Sequence, residues 1–162
     1  MAFIKQGSNV LSFAEYSDVV SADQRMFDSN EGLTDDVIET HLIRSTERIL
    51  TLIRATDWWL TLNDASTINI TPEVKGAQIL FRQNDFTDLC IYYALSMYIY
   101  PTIADFANPD NAEVAKIGFY QSKFQQLFDE LVQAGNWYDL NNNGTITADE
   151  QKKGYISLKR VR

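Results

Sequence analysis

The chain has few of the residues from which catalytic and metal sites are usually built. Its 162 residues include one cysteine, Cys90, and one histidine, His41. Cys90 cannot form a disulfide bond within the chain, and His41 has no second histidine or cysteine pair with which to bind zinc. We therefore expect Cys90 to be a small buried hydrophobic residue and His41 to have no metal role. Because no nucleophile, base and orienting group are recognisable together, we predict that the protein is not an enzyme.

The chain also lacks segments of the length and composition that enter membranes. Its strongly apolar stretch, Leu89 to Tyr100, has twelve residues, whereas a membrane-spanning helix needs roughly 20. Residues 1–13 contain no sustained apolar segment followed by a small-residue cleavage site, so we expect no signal peptide. Three prolines and seven glycines are too few for a low-complexity chain. These features predict a soluble protein, made in the cytoplasm, that does not contact a membrane.

Positive and negative charges are separated along the chain. Residues 1–151 contain all 22 acidic residues and nine of the 14 basic ones, which gives this part a net charge of −13. The last eleven residues contain the other five basic residues and no acidic one, which gives a net charge of +5. The negative charge of residues 1–151 argues that the protein does not hold duplex DNA through its phosphates. The basic end favours a charged partner.

The segment Asn84–Phe106 is expected to form the central helix of the domain. Between Leu89 and Tyr100 only Ser96 is plainly polar, so apolar side chains point all round the helix axis, as in a buried helix. Pro101 should kink or end this helix near Tyr100. The tyrosines of the segment have two interpretations, namely core aromatics with hydroxyl groups at the rim, or an aromatic interface with neighbouring chains. They are Tyr92, Tyr93, Tyr98 and Tyr100.

Hydrophobic periodicity predicts further helices on both sides of this segment. Thr34 is placed to cap a helix with an apolar stripe. A third helix covers Ala112–Ala134 and is followed by Gly135, a residue that typically ends a helix. The stripe consists of Ile38, Leu42, Ile49 and Ile53. Residues with capping-box spacing occur at Ser12–Glu15, which opens a short helix to about Val20, and at Asp110–Glu113.

The resulting fold class is all-α, a small helical bundle in one domain. A short irregular or strand segment is expected near residues 63–73, where β-branched residues alternate with polar ones, and an extended tail is expected at the C-terminus. We divide the chain into a helical bundle (1–136), a loop region (137–151) and a basic C-terminal tail (152–162).

Residues 139–150, DLNNNGTITADE, match the calcium-binding loop of EF-hand proteins at its diagnostic positions. Ca²⁺ prefers six to eight oxygen ligands, and this spacing supplies them from side chains, one carbonyl group and a bidentate glutamate. Gly144 allows the sharp turn at the middle of the loop. The predicted ligands are Asp139, Asn141, Asn143, the carbonyl group of Thr145, and Glu150.

Only two of these ligands carry charge, so we expect any calcium to be structural and weakly bound, with a dissociation constant of roughly 10⁻⁴ to 10⁻³ M. A calcium sensor opens two helices around a groove, and this loop has neither a paired second loop nor a long exit helix. A second interpretation remains open, in which the segment is a tight Asn-Gly turn that resembles the calcium loop without binding metal.

The C-terminal tail is expected to dock on a partner. From Tyr155 onward it combines apolar and basic residues, a pattern typical of an extended segment that adds a strand or lies in a groove. The docking residues are Tyr155, Ile156, Leu158, Lys159, Arg160, Val161 and Arg162. The alternative is a frayed terminus, although a solvated end would not need these apolar side chains.

The order and character of these segments resemble the head–tail adaptor proteins of tailed bacteriophages, also called connector or head completion proteins. The resemblance covers roughly residues 12–162. It rests on the capped segment Leu33–Ile38, the apolar segment Phe86–Leu95, the aromatic-rich helix Ala112–Ala134 and the extended basic C-terminus.

The resemblance implies a structural subunit of the virion neck. Copies of such a protein assemble into a ring, typically a dodecamer, under the portal protein and above a tail or stopper protein. DNA passes through the axial channel without specific binding, and residues 155–162 would dock on the portal. A calcium-like loop is not typical of that family. The alternative function is therefore a calcium-binding regulatory or interaction module that uses residues 139–150.

Overall fold

The computed structural model describes residues 3–24, 33–63 and 71–151, and these residues form a mainly helical fold. The elements are the strands β1 (Ile4–Gln6) and β2 (Asn9–Ser12) and the helices α1 (Tyr16–Ala22), α2 (Asp35–Arg54), α3 (Asp57–Leu62), α4 (Gln83–Ala94), α5 (Tyr100–Ile103) and α6 (Ala112–Ala134). A 3-10 turn covers Gly76–Gln78, and a π-helical turn, Leu95–Ile99, joins α4 to α5. The prediction of a mainly helical domain is confirmed.

The predicted central helix is present and buried. Its residues Leu89, Cys90 and Leu95 have no solvent exposure, and both α2 and α6 pack against α4. The irregularity predicted near Tyr100 is present as a π-helical turn that ends directly before this residue, although the helix does not end there. The helix passes through Pro101 and ends at Ile103, whereas the irregular turn comes earlier, at Leu95–Ile99. A π-helical turn of this kind contains one residue more than an α-helical turn and does not end the helix.

The two long helices that flank the centre follow the sequence pattern. α2 begins after Thr34, and the predicted stripe of α2 is buried throughout. α6 has the predicted bounds and is followed by the cap residue Gly135, which adopts a left-handed conformation with φ of 56°. Its cap differs from the prediction, because the Asn111 side chain, and not that of Asp110, accepts hydrogen bonds from the backbone N–H groups of Glu113 and Val114.

The N-terminal region differs from the sequence prediction in two ways. Residues 4–12 form an antiparallel hairpin, which was not predicted and adds a small sheet to the expected all-α fold. The capping box lies three residues later than expected, since the Glu15 N–H donates to the Asp18 carboxylate at 2.9 Å and α1 starts at Tyr16. The hairpin packs closely on the 3-10 turn, where a Cβ atom on Gly76 would lie 2.8 Å from the Val10 Cβ.

Several predictions concern residues outside the described part of the chain. Residues 64–70 fall there, so the predicted strand segment near 63–73 stays a prediction, and the described residues 71–75 form no helix or strand. The C-terminal tail, residues 152–162, also lies outside the described residues. None of the helices within the described ranges is long and apolar enough to cross a membrane.

Candidate functional site

The candidate site is the loop 139–150 together with the aromatic cluster beneath it. The cluster is formed by Trp58 and Trp59 of α3 and by Trp137 and Tyr138, which follow α6. The rings of Trp58 and Trp137 have centroids 4.7 Å apart, and those of Trp59 and Tyr138 lie edge to face at 5.0 Å. The Trp137 indole N–H donates to the Leu131 carbonyl oxygen at 2.7 Å. The cluster is therefore both tightly packed and fixed in orientation.

The start of the loop is hydrogen-bonded to the segment that precedes α4. The Asp139 N–H donates to the Gln78 carbonyl oxygen at 2.9 Å, and the Leu80 N–H donates to the Trp137 carbonyl oxygen at 3.0 Å. The Gln78 side-chain amide donates to the Asp139 carbonyl oxygen at 2.8 Å and accepts from the Tyr138 hydroxyl at 3.0 Å. Backbone and side-chain bonds together hold the first residue of the loop against the domain.

Both predicted charged ligands lie inside the loop and are nearly buried, with 1% exposure for Asp139 and 5% for Glu150. The Asp139 carboxylate accepts from the Gly144 N–H at 2.8 Å and from the Asn143 N–H at 3.3 Å. One Glu150 oxygen accepts from the N–H groups of Leu140 and Asn141, and the other accepts from the N–H and hydroxyl of Thr147. These bonds, led by that from the Thr147 N–H, lower the pKa of Glu150.

The predicted neutral ligands belong to the same loop but are exposed. The Asn141 side-chain oxygen accepts from the Asn143 N–H at 3.0 Å, and the Asn143 side-chain oxygen accepts from the N–H and hydroxyl of Thr145, both at 2.8 Å. Gly144 has a φ of 83°, which explains the need for glycine at the turn. The fold thus gathers all five predicted ligand residues into one hydrogen-bonded loop.

The donor set of this loop fits a hard cation such as Ca²⁺, because every candidate ligand atom is an oxygen and two of the groups are carboxylates. The residues that could hold the ion are those predicted from sequence. The described part of the chain, this loop included, contains no group of three or more histidine, cysteine or acidic side chains that could hold a metal.

A second polar cluster, which the sequence analysis missed, surrounds Asp23 at the end of α1. One oxygen of its carboxylate accepts hydrogen bonds from Lys116, Tyr100 and Tyr120. Burial opposes the charged carboxylate, but the hydrogen bonds from Lys116 and Tyr100 outweigh it and lower the pKa of Asp23. All three partners are hydrogen-bond donors that are distant from Asp23 in sequence and lie on α5 or α6. The cluster therefore stabilises the packing of α1 on these two helices.

The single cysteine, Cys90, and the single histidine, His41, both pack against neighbouring side chains of the domain. The Cys90 thiol is fully buried beside the Thr46 hydroxyl at 3.4 Å, and burial raises its pKa to about 12. The His41 ring stacks on Tyr98 with centroids 5.5 Å apart, and burial together with the Arg44 charge lowers its pKa. Burial of Cys90 agrees with the expectation from sequence.

The predicted docking residues of the tail cannot be placed in this site, because residues 152–162 lie outside the described residues. The described chain reaches Gln151, one residue beyond the loop. Comparison of the sequence and the structure with protein-family models, curated proteins and solved structures gave no significant match in any of the three.

Proposed function

We propose that this chain is a structural adaptor subunit of a phage neck, one of the copies in a ring that joins the portal to the tail and surrounds the DNA channel. In this proposal the domain is a small helical bundle, and its basic C-terminal tail docks on the portal. The ring is a dodecamer that meets a tail or stopper protein on its other side. The protein acts by assembly and carries out no catalysis.

The observation that carries the proposal is the attachment of the tail. The tail has a net charge of +5, opposite to the −13 of the preceding residues. It follows directly on a loop that Gln78, Leu80 and the buried aromatic cluster hold against the domain. A partner that binds the tail therefore pulls on a firmly anchored point of the domain, as an adaptor requires.

The charge of the body supports the same function. Asp35, Asp36 and Glu39 at the start of α2 are exposed, as are Asp129 and Glu130 on α6. Carboxylates on a channel wall repel the phosphates of passing DNA, so the wall does not hold the DNA in place. The proposal assigns DNA the role of a passing polymer that is not specifically bound.

The test is assembly with a purified portal protein, observed by electron microscopy. We expect rings of the chain seated on the portal. Replacement of Lys159, Arg160 and Arg162 by glutamine should abolish their seating, whereas the matched control with Lys5, Lys75 and Lys123 replaced by glutamine should not. A chain that stays monomeric and ignores the portal, or a tail variant that binds as well as the control, contradicts the proposal.

A second candidate function is a calcium-binding regulatory or interaction module. Two nearly buried carboxylates in one loop of oxygen ligands favour it. Calorimetry with Ca²⁺ on the full chain distinguishes the candidates, with Glu150→Gln as the test variant and Asp149→Asn, a neighbouring exposed carboxylate, as the control. Tight binding with a large structural change favours a regulatory module. Weak binding that Glu150→Gln abolishes favours a structural ion in an adaptor.

A further inference from the structure

An open cleft of about 410 Å³ lies between α1 and α4, and none of its lining residues belongs to the loop or its aromatic cluster. Ala22, Thr87 and Ile91 contribute to its lining, and Asp18 and Asp88 stand at its two sides. Thr87 and Ile91 are buried, so the floor is formed by side chains of the packed domain. We call this feature the α1–α4 cleft.

The two acidic residues of the cleft have no basic partner among the described residues. The ion pairs found there involve the carboxylates of Asp23, Asp85 and Glu130. Partial burial and the neighbouring charges of Asp85 and Asp18 raise the pKa of Asp88. A positively charged occupant would relieve this repulsion, whereas an acidic or phosphorylated one would increase it.

The C-terminal tail has the complementary composition. It supplies apolar side chains for the floor of the cleft and basic side chains for its acidic sides. The apolar residues are Tyr155, Ile156, Leu158 and Val161, and the basic ones are Lys152, Lys153, Lys159, Arg160 and Arg162. Apolar contact combined with opposite charge is the usual basis for recognition of such a segment.

The tail is also long enough to reach the cleft within its own chain. Glu150 bonds to the Leu140 N–H, and Gln78 bonds to Asp139, so the tail starts close to the segment that leads into α4. Eleven extended residues span up to about 36–40 Å, and a domain of this size has a radius of gyration of about 15 Å. Tethering gives an effective concentration in the millimolar range, far above that of a second copy.

We propose that the α1–α4 cleft binds the basic C-terminal tail of the same chain before assembly. The proposal rests on the adaptor function for its second step, in which the portal competes for the tail and releases it from the cleft. The unassembled subunit thereby shields the apolar side chains of the tail, and a subunit exposes them only where a portal is present.

Disulfide trapping in the full chain, without portal, tests the first step. Ser21, exposed beside the cleft, and Leu158 are both replaced by cysteine, and the control pair is Asp110→Cys with Leu158→Cys, because Asp110 is exposed in the turn before α6. Native Cys90 is fully buried and should not react. We expect the cleft pair to cross-link within one chain at least about tenfold faster than the control pair.

A charge reversal gives an independent readout of the same contact. Asp88→Lys, introduced into the chain that carries the cleft pair, should remove most of this rate advantage, whereas Asp110→Lys should leave it unchanged. Equal rates for the two cysteine pairs, or insensitivity to Asp88→Lys, would overturn the proposal. A disulfide-linked dimer as the main product would also overturn it, because the tail would then occupy the cleft of a second copy.

Failure of this inference is distinguishable from failure of the adaptor function. A chain that cross-links at the cleft but ignores the portal contradicts the adaptor function alone. A chain that forms rings on the portal without any cleft cross-link contradicts only the same-chain contact. If the adaptor function and the contact of the tail with the cleft are both correct, an excess of portal should slow the cross-linking of the cleft pair.

Discussion

The Lys116 ammonium nitrogen lies 2.8 Å from the Asp23 carboxylate, although 93 residues separate the two in sequence. The same carboxylate oxygen accepts from the hydroxyl groups of Tyr100 and Tyr120, the latter at 3.1 Å. The side chain of Asp23 is 9% exposed. One nearly buried carboxylate thus connects the end of α1 to α5 and α6.

We predict that Asp23→Asn destabilises the domain. The amide keeps the shape of the side chain but loses the negative charge that binds Lys116, and hydrogen bonds to a charged group contribute about 1.5–3 kcal/mol each. The free energy of unfolding should fall by roughly 2 kcal/mol, measured by urea denaturation. Asp110→Asn, at an exposed turn, serves as the control and should change it by less than about 0.5 kcal/mol. An equal effect of both variants contradicts a stabilising role for the Asp23 cluster.

The same carboxylate predicts how stability depends on pH. The pKa of Asp23 in the folded protein lies below its ordinary value of 3.8. The stabilisation is therefore complete above the unfolded-state pKa and is lost as the pH falls through the folded-state pKa. Denaturation at pH values from 7 down to 2 should show the native chain losing its advantage over Asp23→Asn below about pH 4. A difference that stays constant over this range would contradict the assignment.

Removal of the indole ring of Trp137 should be among the most damaging single changes. The ring is fully buried, lies 4.7 Å from Trp58 and 4.8 Å from Phe86, and donates a hydrogen bond to Leu131. Trp137→Ala should lower the free energy of unfolding by about 3–5 kcal/mol, as for other large buried aromatics. Phe119→Ala is the matched control, because Phe119 is 55% exposed. Its effect in urea denaturation should stay within about 0.5 kcal/mol.

Glu150 should control the order of the loop. The two oxygens of the carboxylate accept from the N–H groups of Leu140, Asn141 and Thr147. Glutamine replaces one of these oxygens with an NH2 group, which can only donate. In Glu150→Gln these three amides should exchange with solvent deuterium at least about tenfold faster, measured by NMR. Asp149→Asn provides the control at the adjacent exposed position. Unchanged protection of all three amides would show that Glu150 does not organise the loop.

The features predicted well from sequence are those whose determinants are local. The stripe of α2 and the bounds of α6 follow from helical periodicity and from Gly135. All five candidate ligands of the loop lie within twelve residues, so spacing alone identifies them. The N-terminal hairpin also has a local signal, since Gly7 and Ser8 separate two strand-like segments.

The Asp23 cluster and the α1–α4 cleft, which were missed, depend on contacts between distant residues. The partners of Asp23 are 77, 93 and 97 residues away, and nothing in the local sequence of Asp23 specifies them. The α1–α4 cleft arises only where two helices meet. The cap of α6 shows a finer limit, because Asp110 and Asn111 are both good capping residues and sequence alone did not choose between them.

The π-helical turn at Leu95–Ile99 determines which way the following residues face. Each residue of an α-helix rotates the next by about 100°, and a π-helical turn accommodates one extra residue. In an uninterrupted α-helix of the same sequence, Tyr100 would therefore point about 100° away from its present direction relative to α4. The phase set by this wider turn aims the Tyr100 hydroxyl at Asp23. An α-helical turn made of the same five residues would turn Tyr100 away and leave the Asp23 carboxylate to Lys116 and Tyr120.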